Sequence, residues 1–108
     1  MGFELEGQNF VVTGAAKGIG LAISRKLSEL GAHVSGWDLD SSSMSRESIF
    51  SHCVRVDVSN EKSVASATEE TIKNFGILHG LIANAGVNGP TKPVWEYSLE
   101  EWQWVISV

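Results

Sequence analysis

The chain has 108 residues, 8 Lys and Arg against 13 Asp and Glu, a net charge of -5 and 43% hydrophobic residues, which suits one globular domain and no more. Charge is spread evenly: residues 1–54 carry 4 basic and 6 acidic groups and residues 55–108 carry 4 and 7, so neither half offers nucleic acid a basic face. Apolar runs such as Phe10–Val12 and Leu81–Ala83 fall far short of the roughly 20 residues that cross a bilayer as a helix. Phe10–Val12 reads as a first strand, a buried run stopping at Thr13-Gly14. From Gly18, Ile19, Ala22, Ile23, Leu27 and Leu30 recur at helical spacing, and Gly31 follows where a left-handed cap is wanted. His33–Trp37 predicts a second strand closing on Asp38, and His52–Val56 a third closing on Asp57. Between them, Leu39–Ser51 holds six serines and neither Gly nor Pro, which predicts a short or frayed helix. Ser59 or Asn60 can cap a helix with inner stripe Val64, Ala67, Ile72 and Phe75, ended by Gly76. Leu78–Ala83 is the fourth predicted strand, Gly86–Pro93 a loop, and Ser98-x-x-Glu101 a capping box opening a last helix through Val108.

Strands alternating with helices at this pitch imply right-handed crossovers and an open parallel sheet. The expected fold is α/β and doubly wound, with strand order 3-2-1-4 and helices on both faces. Ligands of such sheets bind at the carboxyl ends of the strands.

Gly14-x-x-x-Gly18-x-Gly20 lies between a predicted strand and a predicted helix, the context that gives a phosphate-binding turn its meaning. Gly14 permits a tight turn, Gly18 lets backbone approach a pyrophosphate, and Gly20 lets the helix pack near the sheet. The unpaired amides of the helix start then supply the positive end. A turn with no ligand is the plainer alternative. Asp38, 18 residues after Gly20, stands where an acid accepts hydrogen bonds from the adenosine ribose hydroxyls, and a carboxylate there repels a 2′-phosphate. This favours NAD over NADP. Lys17 pulls weakly the other way, since an ammonium beside the turn suits a 2′-phosphate as well as a pyrophosphate or solvent. Asp57 can accept a proton from an adenine amino group or simply end a strand at a turn.

Thr13–Gly20 reads TGAAKGIG, Asp38 follows Gly31 by seven residues, Asp57-Val58 reads DV and Ala83–Gly86 reads ANAG. With these motifs in this order the chain resembles the short-chain dehydrogenase/reductase family from Gly7 to Val108. The resemblance implies a Rossmann-like NAD-binding domain over residues 1–108, incomplete relative to the family. It also implies hydride transfer between nicotinamide and the carbon of a secondary alcohol or ketone. By resemblance, Gly14, Lys17, Gly18, Ile19 and Gly20 lie along the pyrophosphate and adenosine, and Asp38 and Leu39 at the ribose. Asp57 and Val58 then lie at the adenine, and Asn84, Ala85 and Gly86 border the nicotinamide-side ribose. Where the family usually reads NNAG, Ala83 lacks one side-chain amide that helps tie neighbouring strands.

The family's reaction uses a Tyr as acid and base, a Lys four residues later and an upstream Ser. A free phenol has a pKa of about 10, so the Lys charge lowers it while the Ser hydroxyl polarises the reacting oxygen. The only tyrosine here is Tyr97, and Glu101 stands four residues after it, so Tyr97 is not that base and no catalytic residue is assigned. The family's relay Asn normally follows the pattern seen as Trp102–Val105. The chain stops where that Asn is expected, which predicts the amino-terminal part of a longer reductase, truncated before the later strands and inactive alone.

His33, His52 and His79 are isolated, and Cys53 adjoins His52 on a predicted strand where neighbours face opposite ways. No metal site is expected, and Cys53 reads as core filling. With one Cys and a polar, acidic start at Met1–Gly7, the expected compartment is the cytoplasm. Leu99, Trp102 and Ile106 share a helical stripe expected to pack on the sheet. By resemblance the same helix region lies at a subunit interface in many members, which makes Trp104 a candidate interface residue and a homo-oligomer the expected assembly. An open fourth-strand edge would make the chain association-prone. Expected partners are a small alcohol or ketone, with no nucleic acid and no membrane. The alternatives are a non-catalytic module that binds a dinucleotide or only self-associates and, ranked last, a nucleotide-dependent transferase on the same fold.

Overall fold

The paired β-branched residues Val11 and Val12 form the middle of strand β1 (Asn9–Thr13), and each is almost wholly buried on one face of a parallel sheet. A computed structural model of the chain describes residues 4–86, 94–96 and 98–107. After β1 come α1 (Gly18–Glu29), β2 (His33–Asp38), α2 (Ser41–Met44), β3 (His52–Arg55), α3 (Glu61–Phe75) and β4 (Gly80–Ile82). A short 3-10 turn at Val94–Glu96 precedes α4 (Leu99–Ser107). The described strands pair in the order β3-β2-β1-β4, all parallel, as the alternation of elements predicts. Asn9 stands opposite His33, Ser35 opposite His52, and Phe10 opposite Gly80.

Alternation along the strands divides the core into two layers. On one face Val12 and Val34 cluster with Ala15 and Met44, joined by Leu27 of α1, Phe50 and Cys53. On the other, Val11 and Trp37 cluster with Val56 and with Ala67 and Val64 of α3. Cys53 thus fills core as expected, and burial raises its thiol pKa. Its neighbour His52 faces the other way, with Nδ1 2.8 Å from the hydroxyl of Ser35.

Three expectations need correction. On α1 the exposed residues include Ile19 and Ala22, while Gly20 and Ser24 are the buried ones. Near its start the helix lies so close to the glycine turn that no Cβ fits at Gly20, and the Ser24 hydroxyl is satisfied by the Gly20 carbonyl at 2.8 Å. On α3 the buried position is Thr71, not the exposed Ile72. Thr71 lies seven residues after Val64, in line with the contact face, and its hydroxyl donates to the Ala67 carbonyl at 2.7 Å while accepting from the Trp37 indole at 3.2 Å. On α4 the stripe Leu99, Trp102 and Ile106 is exposed instead of packed on the sheet. Boundaries differ less: β3 ends before Val56, and β4 omits Leu78, His79 and Ala83. The expected loop beyond Gly86 up to Pro93, together with Tyr97 and Val108, lies outside the described residues.

Candidate functional site

The site starts at the carboxyl end of β1, where Thr13 ties two strands together. Its Oγ1 accepts from the amides of Asn84 and Ala85 at 2.9 and 3.0 Å and donates to the Ile82 carbonyl at 3.4 Å. The Asn84 amide returns the link, donating to the carbonyls of Thr13 and Gly14 at 3.3 and 3.2 Å. The exits of β1 and β4 are therefore tied together, although Ala83 carries no side-chain amide.

From there the chain turns sharply. Gly14 has φ 64° and Gly18 φ 59°, a region that costs any residue with a Cβ. Gly18 has open space where a Cβ would stand, so ligand atoms can come close to its backbone. Gly20 has none: a Cβ there would run into the Gly14 carbonyl oxygen and lie 2.6 Å from the Asn84 side-chain nitrogen. Helix α1 begins at this turn with Lys17 in the cap position, and neither a side-chain cap nor an acid in its first turn balances its amides. The other described helices are capped: α2 by Asp40, α3 by Asn60, and α4 by a reciprocal box in which Ser98 and Glu101 each bond the other's backbone N–H at 3.1 Å. The uncapped helix start carries the partial positive charge of the helix dipole, worth about 0.3–1 kcal/mol to an exposed anion.

Two acids flank this start. Asp38, at the end of β2, accepts from the Ala16 amide of the glycine turn through Oδ2 and from the Asp40 amide through Oδ1, both at 3.0 Å. It is braced against the turn. Asp57, after β3, accepts from the Ser59 hydroxyl at 2.6 Å and the Ser59 amide at 3.0 Å. These bonds, with the charge of Arg55, outweigh desolvation and hold its carboxyl below the ordinary value of 3.8.

A cavity of about 590 Å³ opens at these strand ends, within the range of small-molecule sites. Gly14, Lys17, Gly18 and Ile19 line it from the turn, Asp38 and Leu39 from the end of β2, and Asp57 and Val58 from the end of β3. Asn84, Ala85 and Gly86 line it from the end of β4. Of the twelve residues singled out in the sequence, Gly20 alone lies outside the lining, beneath the turn. Thr13, which opens the TGAAKGIG motif without an assigned role, and the Ala16 amide position the site; a backbone donor such as the latter forms no sequence pattern. Trp37, Val56, Ser59 and Trp104 also line the cavity and were not foreseen as site residues. Trp37 and Ser59 lie next to singled-out acids or one position beyond them, a signal that was legible; Trp104 offered none. A second cavity of about 430 Å³ lies at the amino ends of the strands, among Gly7, Asn9, His33, Ser51, Asn74 and Phe75.

A family model described as short chain dehydrogenase matches residues 8–108. A 2-dehydro-3-deoxy-L-rhamnonate dehydrogenase (NAD(+)) from Sphingomonas sp. (strain SKA58) is 33% identical over 105 residues, covering 94% of this chain and 42% of the relative. A short chain dehydrogenase/reductase from Burkholderia phymatum, solved in complex with NAD, superposes with a TM-score of 0.88 at 34% identity over 98% of this chain and 40% of its own. A metagenomic short-chain oxidoreductase solved with NADP superposes with a TM-score of 0.89 at 32% identity, over 95% of this chain and 50% of its own. The chain thus spans about two fifths of the length of the curated relatives it matches.

Proposed function

Because the chain belongs to the short-chain dehydrogenase family, we propose that it supplies the nicotinamide-dinucleotide site of an oxidoreductase, with NAD preferred over NADP. The observation that carries this reading is the uncapped start of α1 facing the same cavity as Asp38 and Asp57. Unpaired amides beside an open Gly18 suit a pyrophosphate, and a braced carboxylate at the end of β2 suits a ribose diol.

In this reading Gly14, Gly18 and Ile19 bind the pyrophosphate by backbone, with Lys17 adding a mobile positive charge. Asp38 accepts from the adenosine ribose hydroxyls beside Leu39, and its fixed charge opposes a 2′-phosphate. Asp57, kept ionised by Ser59, accepts from the adenine amino group next to Val58. Asn84, Ala85 and Gly86 border the second ribose, held in place by Thr13. When bound, the dinucleotide supplies hydride exchange with the carbon of a secondary alcohol or ketone. No Tyr-x-x-x-Lys occurs in these 108 residues, so the role proposed for them is binding the dinucleotide. Relatives that bind NAD and a relative that binds NADP both support the dinucleotide; the preference rests on Asp38. A small alcohol or ketone as the substrate of the whole enzyme, a homo-oligomeric assembly and a cytoplasmic location belong to the same proposal.

Calorimetric titration with NADH and NADPH, beside an Asp38→Ala variant, tests it. The wild-type chain should prefer NADH, and the substitution should narrow or reverse that preference. Tighter NADPH binding by the wild type would refute the assignment of Asp38.

A further inference from the structure

We propose that Trp104 is a positioning residue for the bound dinucleotide, its indole forming an aromatic wall against which a flat heterocycle stacks. The proposal rests on the dinucleotide reading and adds a ligand contact from a different element. Trp104 lies on α4, yet it lines the same cavity as the glycine turn and the two acids. Half of its surface is exposed, at 51%, so the ring is free to be covered.

Two other lining residues show the same property. Ile19 is 72% exposed and Leu39 56% exposed, although both line the cavity. Apolar groups left open around a polar turn form rims for a ligand with a flat, weakly hydrated face. Trp37 plays a different part: its indole N–H is shared between Ser35 and Thr71 at 3.2 Å each, and its ring is buried as the cavity floor. Of the two tryptophans lining the cavity among the described residues, Trp104 is the exposed one.

Charge leads to the same place. Among the described residues, the acidic and basic side chains lining the cavity are Asp38 and Asp57 against Lys17, so the acids outnumber the base where an anionic ligand would lie. Lys17 is the one cation against two acids in this described lining, so backbone amides and ring packing carry much of the grip in this proposal. An indole suits the second task because it offers a large rigid face at little conformational cost. Stacking of a base on an aromatic side chain is worth about 5- to 150-fold in affinity by alanine substitution.

The shared ligand chemistry is a flat heteroaromatic ring, which both adenine and nicotinamide provide. The test is calorimetry on the 108-residue chain and its Trp104→Ala and Trp104→Phe variants, with NADH, AMP and nicotinamide mononucleotide as probes. Trp104→Ala should weaken NADH by about 5- to 150-fold, and Trp104→Phe should restore most of the loss. The same loss should appear with the mononucleotide whose ring stacks and be absent with the other. Unliganded thermal midpoints of both variants should match the wild type, because the ring is half exposed. The proposal is overturned if Trp104→Ala binds NADH within about two-fold of wild type, or if both variants lose affinity together with thermal stability. A wild-type chain that binds no NADH would instead overturn the dinucleotide reading, and this proposal with it.

Discussion

Thr13 and Asp57 show how much of the site rests on single hydrogen-bonding groups. The Thr13 hydroxyl accepts two β4-exit amides and donates to one carbonyl, so one side chain sets the distance between the turn and the Asn84–Gly86 wall. Asp57 is held by Ser59, and the bond lowers its pKa from the ordinary 3.8. A carboxyl whose folded value is depressed stabilises the fold above its unfolded pKa, and that contribution is lost as pH falls through the lower folded value. Wild-type stability should therefore fall as pH drops below about 4, with Asp57 contributing part of the slope. Asp57→Asn should flatten that part of the curve, read as thermal midpoints across the acid range. Identical acid slopes in the two proteins would contradict the role given to Ser59. The acids themselves were legible in the sequence because each ends a predicted strand. The Ala16 amide that braces Asp38 was not, since a backbone donor leaves no mark on residue type.

At the scale of elements, helix type and order were legible from apolar periodicity, whereas the inward faces of α1 and α3 were only partly so. Ser24 and Thr71 are fully buried, each bonding a carbonyl four residues earlier. A hydrophobicity pattern reads such residues as surface and passes over them in favour of Ile19 and Ile72. Close docking of α1 depends on Gly20, which has the Gly14 carbonyl and the Asn84 side chain against it. Gly20→Ala should destabilise the chain by about 1–3 kcal/mol, as overpacking of a tight contact does. It should also weaken dinucleotide binding, because the turn must shift. Urea unfolding monitored by circular dichroism reads the first effect. A Gly20→Ala variant as stable as wild type would show that α1 has room to move.

For the molecule as a whole, alternation predicts an open parallel sheet with right-handed crossovers; the described strands take the order β3-β2-β1-β4, and their carboxyl ends converge on one cavity. What alternation could not reveal is how α4 sits. Its stripe of Leu99, Trp102 and Ile106 is exposed, and so is Leu81 on β4, whose only partner among the described residues is β1. Periodicity says which residues share a face and says nothing of what covers it. In the proposed reading the uncapped start of α1 and the acids ending β2 and β3 grip one dinucleotide. That grip is tested most directly by following the backbone amides by nuclear magnetic resonance while NADH is added. Shifts should concentrate at Gly14–Gly20, Asp38-Leu39, Asp57-Val58 and Asn84–Gly86. Shifts centred instead on Gly7, His33 and Asn74, around the cavity at the opposite end of the strands, would contradict it.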